Sequence, residues 1–186
     1  MEELSLDMTG LGQLLLKRDI LYNKISSRER NGLIEFAIES GEEAGLKVLA
    51  DGIDKDKPCA YIEKYCKINF LRHKAPLPIY SECLLKDGTI NIYCSEIDNL
   101  YLKLSEEGYM VDRNRLYNIF LLHEFFHVLE ERESGSVSSI RKIKVFKFLF
   151  WEIKRGISQL SEIAANSFLR TIIGGLPIKY ICKEDL

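Results

Sequence analysis

Residues 123–127 read His-Glu-Phe-Phe-His, and their types and spacing fit a chemical role better than any other stretch of the chain. On a helix, His123 and His127 lie one turn apart on the same face, so their imidazoles can bind one zinc ion. Glu124 projects about 100° further round the helix, where it can act as general base on zinc-activated water. The chain has three histidines, and two of them form this motif. The motif therefore predicts a zinc-dependent hydrolase.

A catalytic zinc ion usually takes three protein ligands and keeps one position open, so a third ligand has to come from elsewhere. The remaining histidine, His73, precedes a predicted hairpin, where we expect a surface residue. We favour Glu162, because it opens a predicted helix whose small Ala164 and Ala165 allow close approach to the motif helix. Four other downstream acids stay open as ligands: Glu130, Glu131, Glu133 and Glu152.

The elements that must position these residues are mostly helices. Apolar residues at helical spacing predict helices over 11–24, 28–50, 56–67, 97–104, 113–132, 140–154 and 161–173. Ser26 and Glu29 have capping-box spacing before the second of these helices, and Asp112 can cap the motif helix. Segment 140–155 is thus predicted as an additional helix between the motif and Glu162.

A β-hairpin is predicted just before the motif helix. The β-prone runs 79–85 and 89–93 flank Asp87-Gly88, a dipeptide typical of hairpin turns. We expect a small antiparallel sheet, whose edge strand can accept an extended peptide or only support a cleft wall. The order of helices, sheet and helices predicts a single α+β domain over 1–186, with N-terminal helices in 1–50.

The motif helix, together with Glu162-Ile-Ala-Ala-Asn-Ser-Phe168 and Leu176-Pro177, resembles the ImmA/IrrE family of metallopeptidases. Members of that family carry His-Glu-x-x-His and then a Glu-x-x-Ala-Asn-x-Phe helix that ends near a proline. The resemblance covers residues 30–178. Two features depart from the family pattern: Phe126 stands where glycine is usual, and the segment between the motif and Glu162 is longer than expected.

This resemblance implies a mainly helical, zincin-like fold with a gluzincin-like zinc site. The ligands would be His123, His127 and Glu162, and Glu124 would be the general base. It also implies a protein or peptide substrate, and members of the family are similar to proteases that cut transcriptional repressors. We therefore expect a zinc metallopeptidase that acts on a regulatory protein.

Several other residues are candidates for supporting roles. Three tyrosines could stabilise the oxyanion of an attacked carbonyl: Tyr80, Tyr93 and Tyr117. Asn166 lies one turn beyond Glu162, where it can orient a ligand or simply pack. Segment 141–155 combines six Lys or Arg residues and one acid with large apolar residues. It can bind an acidic partner or a membrane surface, or pack its aromatic side chains on the core.

Composition excludes several classes of protein. The chain has 186 residues, 46% hydrophobic and 29% charged, which is typical of a globular domain. A net charge of −2 gives no overall electrostatic indication of nucleic-acid binding. The N-terminus begins with acids, unlike a signal peptide, and no apolar run is long enough to span a bilayer. We expect a cytoplasmic protein.

The cysteines indicate neither a disulfide framework nor a cysteine zinc cluster. Their number is odd and no pair has C-x-x-C spacing: Cys59, Cys66, Cys83, Cys94 and Cys182.

Two other functions fit the same residues. One is a catalytically silent module that keeps the zinc site and binds or senses a partner protein. The other is a helical regulatory or DNA-binding domain with incidental histidines, which predicts no bound metal. The sequence does not indicate an oligomeric state.

Overall fold

The structure is a computed structural model that describes residues 7–73, 79–133, 135–148, 151–175 and 177. Its elements, in chain order, are α1 (Met8–Leu16), α2 (Ser27–Ala50), α3 (Cys59–Ile62), β1 (Lys67–Leu71), β2 (Ser81–Leu84), β3 (Thr89–Tyr93), α4 (Cys94–Glu106), α5 (Arg113–Glu133), α6 (Val137–Ile140), β4 (Lys142–Phe148), β5 (Trp151–Gly156) and α7 (Gln159–Ile173). The predictions for residues 1–6, Leu176 and 178–186, which include Cys182, lie outside this part of the chain.

The molecule is mainly helical with two small sheets, which agrees with the predicted α+β class. The predicted hairpin is present: β2 and β3 pair antiparallel, and Gly88 between them has a φ of 57°. The sheet as a whole is mixed rather than antiparallel, because β1 pairs in parallel with β3 and makes β3 the central strand. Strand β1 is only five residues long, and its partner lies 22 positions later, since Ile68 pairs with Ile90. The sequence around β1 therefore shows no hairpin signal that would predict this strand.

Local capping signals account for the starts of helices α2 and α5. The Ser26 hydroxyl accepts a hydrogen bond from the backbone N–H of Glu29, and the Glu29 carboxylate accepts one from the backbone N–H of Ser26, as in a capping box. An Asp112 carboxylate oxygen accepts from the backbone N–H groups of Asn114 and Arg115. Helices α2 and α5 therefore begin where their caps predict.

The first helix is shorter than the predicted 11–24. It ends at Leu16, and a 3-10 turn follows at Tyr22–Lys24. The buried carboxylate of Asp19 accepts a hydrogen bond from the backbone N–H of Leu21 at 2.8 Å. This turn competes with helix continuation, since Asp side chains that bond nearby backbone favour turns over helix interiors.

The additional helix predicted for 140–155 is wrong. This stretch forms an antiparallel β-ribbon, β4 paired with β5, after the short helix α6. Lysine and β-branched residues alternate at 142–145, and five of the ten residues at 146–155 are aromatic or β-branched, a composition that favours strands. The helical interpretation missed this period-two pattern.

The core lies where α2, α5 and α7 pack together beneath the sheet. Its largest fully buried side chains include Phe125 of α5, Phe168 of α7 and Ile90 of β3. Phe126 is 2% exposed, and its ring lies 5.5 Å from that of Phe168. Phe126 therefore packs in the core.

Among the described residues, no helix is both long and apolar enough to cross a membrane. The four cysteines of this part of the chain, Cys59, Cys66, Cys83 and Cys94, are free thiols.

Candidate metal centre

Helix α5 presents the two histidines of the motif side by side. The ring centroids of His123 and His127 lie 5.3 Å apart, with the ring planes at 76°. The side chains are 22% and 15% exposed, so both reach the surface from a largely buried helix. Leu122 and Phe125, on other faces of α5, are fully buried and fix the rotation of the helix. This is the arrangement that the spacing predicted.

Glu162, in the first turn of α7, brings its carboxylate to both histidines. One oxygen, Oε2, lies 3.3 Å from His123 Nε2, and the other, Oε1, lies 3.5 Å from His127 Nε2. The candidate ligand atoms of the three residues all lie within 4.8 Å of one another. His123, His127 and Glu162 therefore form a group that could hold a metal ion, and Glu162 is the acid that the sequence favoured.

Helix α7 is held in place by contacts that the sequence analysis did not predict. An Asp19 carboxylate oxygen accepts hydrogen bonds from the Ser158 hydroxyl and from the backbone N–H of Gln159. Asp19 thus caps a helix that begins 140 positions later in the chain. The cap fixes the first turn of α7, which is the turn that carries Glu162.

The electrostatics of the group favour a cation between its members. Burial lowers the pKa of His127, but the hydrogen bond with Glu130 and the nearby carboxylates raise it to a net value above its ordinary one. The hydrogen bond from His123 and the charges of both histidines hold the pKa of Glu162 below its usual range, against the effect of burial. Without a metal ion, a proton on His127 supplies positive charge that these carboxylates stabilise.

Glu124 lies beside the group and is not part of it. Its side chain is mostly buried, with the residue 8% exposed. The Ser81 hydroxyl, at the start of β2, donates a hydrogen bond to Glu124 Oε1 at 2.7 Å. One carboxylate oxygen is thereby fixed by the sheet. The sequence did not indicate a role for Ser81, because its hydrogen bond with Glu124 joins residues 43 positions apart.

Glu130 is the other acid in contact with a motif histidine. Its Oε2 lies 3.5 Å from His127 Nδ1, the ring nitrogen on the side opposite Nε2. Glu130 was open as a third ligand, but it lies outside the group of three. It instead binds the backbone and hydroxyl groups around α6 and the start of α7.

The remaining ligand candidates lie elsewhere. His73 is exposed and packs edge-on against Tyr93, with ring centroids 6.1 Å apart. Glu131 is exposed on α5, Glu133 ends that helix, and Glu152 lies in strand β5. Neither His73 nor Glu131 joins the three-residue group. The side chains of Glu133 and Glu152 lie outside the described part of the structure.

Two of the three candidate tyrosines are bound to other groups. The Tyr93 hydroxyl donates to Glu82, which raises the pKa of Tyr93 to about 12. The Tyr117 hydroxyl donates to Asp98 at 2.8 Å. Tyr80 stacks on Phe120, with ring centroids 4.8 Å apart, one turn before the motif. Tyr80 also immediately precedes Ser81, the hydrogen-bond partner of Glu124.

Asn166 does not contact a ligand side chain. Its amide donates a hydrogen bond to the backbone carbonyl of Glu162 within α7, at 2.8 Å. This contact supports the helix rather than the orientation of the carboxylate.

No protein-family model, curated protein or solved structure matches this chain. The chemistry of the site is therefore inferred from the side chains themselves.

Proposed function

We propose that the protein is a zinc-dependent metallopeptidase that hydrolyses a peptide bond of a protein substrate. The observation that carries the proposal is the convergence of His123, His127 and Glu162, with the ligand atoms within 4.8 Å of one another. Glu124, in the general-base position of the motif, lies beside them and accepts a hydrogen bond from Ser81. A hydrolytic zinc site commonly uses two imidazoles and one carboxylate as ligands, with a second carboxylate beside them as general base.

The residues present fit zinc better than a harder cation. Imidazole nitrogen is a good ligand for zinc, whereas calcium and magnesium prefer sites made only of oxygen. Three protein ligands would leave a position open, and the partial exposure of all three side chains leaves that position accessible. When bound, zinc supplies Lewis-acid chemistry that polarises a carbonyl group and makes water acidic near neutral pH.

Glu124 carries out the proton transfers in this proposal. Ser81 holds its Oε1, so Oε2 is available to take a proton from the attacking water. Glu124 then gives this proton to the departing amine, which completes hydrolysis without net change at the carboxylate. Among the described residues, no hydrogen bond involves the Tyr80 hydroxyl, and we propose it as the donor that stabilises the oxyanion.

We propose that an extended peptide binds along the edge of β2, next to Glu124. Within the described sheet, β2 pairs with β3 alone, so its outer edge has backbone groups available for a further strand. This edge begins at Ser81, which contacts Glu124. A peptide added to β2 would run past the general base. The resemblance to the ImmA/IrrE metallopeptidases supports a regulatory protein, such as a transcriptional repressor, as substrate.

The first experiment measures zinc per chain in protein purified without added metal or chelator, beside a Glu162→Ala variant. We expect one zinc ion per chain in the wild type and a loss in the variant, because the carboxylate contacts both histidines. Absence of zinc from the wild type, even after zinc is added back, would contradict the proposal.

A Glu124→Gln variant separates the peptidase from a silent binding module. The amide keeps the shape of the side chain but cannot accept the proton, so we expect full zinc content and loss of peptide hydrolysis by at least about 100-fold. A zinc-loaded wild type without hydrolytic activity on any peptide library would instead favour the silent module.

A further inference from the structure

The Glu130 carboxylate is buried behind the metal centre. Its side chain is 7% exposed. Burial of an ionised carboxylate is costly unless its oxygens are hydrogen-bonded. The hydrogen-bond partners of Glu130 therefore indicate its role. They divide between the two oxygens.

One oxygen binds the protein framework. Oε1 accepts hydrogen bonds from the backbone N–H of Val137 at 2.5 Å and from the Ser161 hydroxyl at 2.7 Å. The Ser136 hydroxyl lies 3.4 Å from the same oxygen. These donors come from the start of α6 and the first turn of α7, and Ser161 immediately precedes Glu162.

The other oxygen faces the metal centre. Oε2 lies 3.5 Å from His127 Nδ1, while His127 Nε2 faces Glu162 at 3.5 Å. A carboxylate cannot donate, so this contact requires a proton on Nδ1. With Nδ1 protonated in the neutral ring, the lone pair of Nε2 points toward Glu162 and the ion.

We propose that Glu130 is a positioning residue of the metal centre, which holds His127 as the tautomer with Nε2 free. Through Ser161, the same carboxylate holds the start of α7 so that Glu162 meets His127. One side chain therefore sets two of the three ligands. This inference rests on the metal site proposed above.

The two functions of Glu130 can be separated with Glu130→Gln. The amide oxygen still accepts from Val137 and Ser161, but the amide nitrogen now faces His127 Nδ1 and cannot accept its proton. We expect the dissociation constant for zinc, measured by competition with a chromophoric chelator, to rise by about 10- to 100-fold. The denaturation midpoint of the metal-free variant should stay close to that of the wild type.

Glu131→Gln is the matched control, since it makes the same chemical change at the next residue of α5, which is exposed. We expect it to leave zinc affinity unchanged. Wild-type affinity in Glu130→Gln would overturn the inference and leave the metal site intact. A lowered denaturation midpoint with unchanged zinc affinity would assign Glu130 a purely structural role and also overturn it.

A measurement on the wild type keeps the inference testable if Glu130→Gln does not fold. Nitrogen-15 NMR of the zinc-loaded protein identifies which ring nitrogen of His127 carries the proton. We expect the proton on Nδ1 and zinc on Nε2. Zinc on Nδ1 would overturn the role of Glu130, whereas a wild type that binds no zinc would remove the metal site itself.

Discussion

The Glu162 carboxylate spans the two histidines, with one oxygen toward each. A protonated histidine beside a carboxylate imitates, in the metal-free protein, the charge that a cation would supply. The same contacts that prepare the site for metal thus make the metal-free protein sensitive to pH. Protons and zinc should compete for the same nitrogen atoms.

The pH dependence of metal-free stability follows from the two pKa shifts. The pKa of His127 is raised above 6.5, so its contribution is complete below pH 6.5 and is lost as pH rises through the raised value. The pKa of Glu162 is lowered below 4.5, so its contribution is complete above pH 4.5 and is lost as pH falls through the lowered value. The two contributions are complete together between pH 4.5 and 6.5.

We therefore expect the metal-free wild type to exceed Glu162→Gln in free energy of unfolding most strongly between pH 4.5 and 6.5. The difference should shrink above this window as His127 loses its proton. Urea denaturation of both proteins, with a chelator present and at several pH values, measures this difference in the free energy of unfolding. A difference that does not change with pH would contradict the interaction.

Residues of the site divide into those that sequence predicts and those that it does not. His123, His127 and Glu124 are recognisable because their relation is local to one helix. Glu162 needed the additional evidence of small residues and a helix start. Ser81, Glu130 and Asp19 act through contacts that span 43, 31 and 139 positions. Their roles become visible only when the fold brings distant residues together.

At the scale of elements, α2 and α7 cross at very short range. A Cβ atom added at Gly41 would lie 2.1 Å from the Ala164 carbonyl oxygen. One added at Gly45 would lie 2.8 Å from Thr171. The glycines that weaken α2 as an isolated helix are therefore what allows α7 to lie against it. The backbone carbonyl of Ala164 is the part of α7 that lies against Gly41.

Two alanine substitutions in α2 should have opposite effects. Gly41→Ala should lower the free energy of unfolding by about 1–3 kcal/mol, because the added methyl group collides with backbone. Gly32→Ala, in the same helix but with no atom within 4 Å of the added Cβ, should raise it by about 0.5–1 kcal/mol. Chemical denaturation of the two variants checks this. Equal effects at both positions would show that the crossing is not tight.

Elements with strong local signals were predictable, and those that depend on distant pairing were not. Helices α2 and α5 begin at caps that the sequence displays, and Asp87-Gly88 marks the turn region between β2 and β3. The β4–β5 ribbon was mistaken for a helix because its apolar residues also fit helical spacing. Strand β1 depends on a parallel partner that local pattern does not reveal.

At the scale of the whole molecule, positive charge is concentrated in the ribbon. Residues 141–156 hold six Lys or Arg residues and one acid, whereas the chain as a whole has a net charge of −2. The remainder of the chain is therefore acidic. The predicted basic segment exists, but its backbone is a two-stranded ribbon instead of a helix.

The ribbon leaves and rejoins the body at neighbouring points. Ile143 pairs with Arg155, and the backbone N–H of Ile157 donates to the Ser138 carbonyl at 3.2 Å. A Cβ atom at Gly156 would lie 2.2 Å from that same carbonyl. The ends of the ribbon are therefore close together, so the chain between Ile143 and Arg155 can be shortened without straining the backbone.

We expect a variant in which Asn-Gly replaces residues 144–154 to fold and to keep its zinc content. The dipeptide closes a two-residue hairpin after the Ile143–Arg155 pair. Its free energy of unfolding without metal should lie within about 1 kcal/mol of the wild type, since loop length changes closure entropy only slowly. Zinc analysis measures the metal content of the variant, and chemical denaturation measures its free energy of unfolding. Loss of zinc would show that the ribbon supports the metal centre directly.

The position of the ribbon has a further consequence. His123 and His127 precede it and Glu162 follows it, so a break between β4 and β5 would leave each fragment with an incomplete ligand set. Zinc would then bind tightly only to the reassembled pair. With zinc as the proposed ion, we expect two fragments cut there to reassemble in proportion to free zinc.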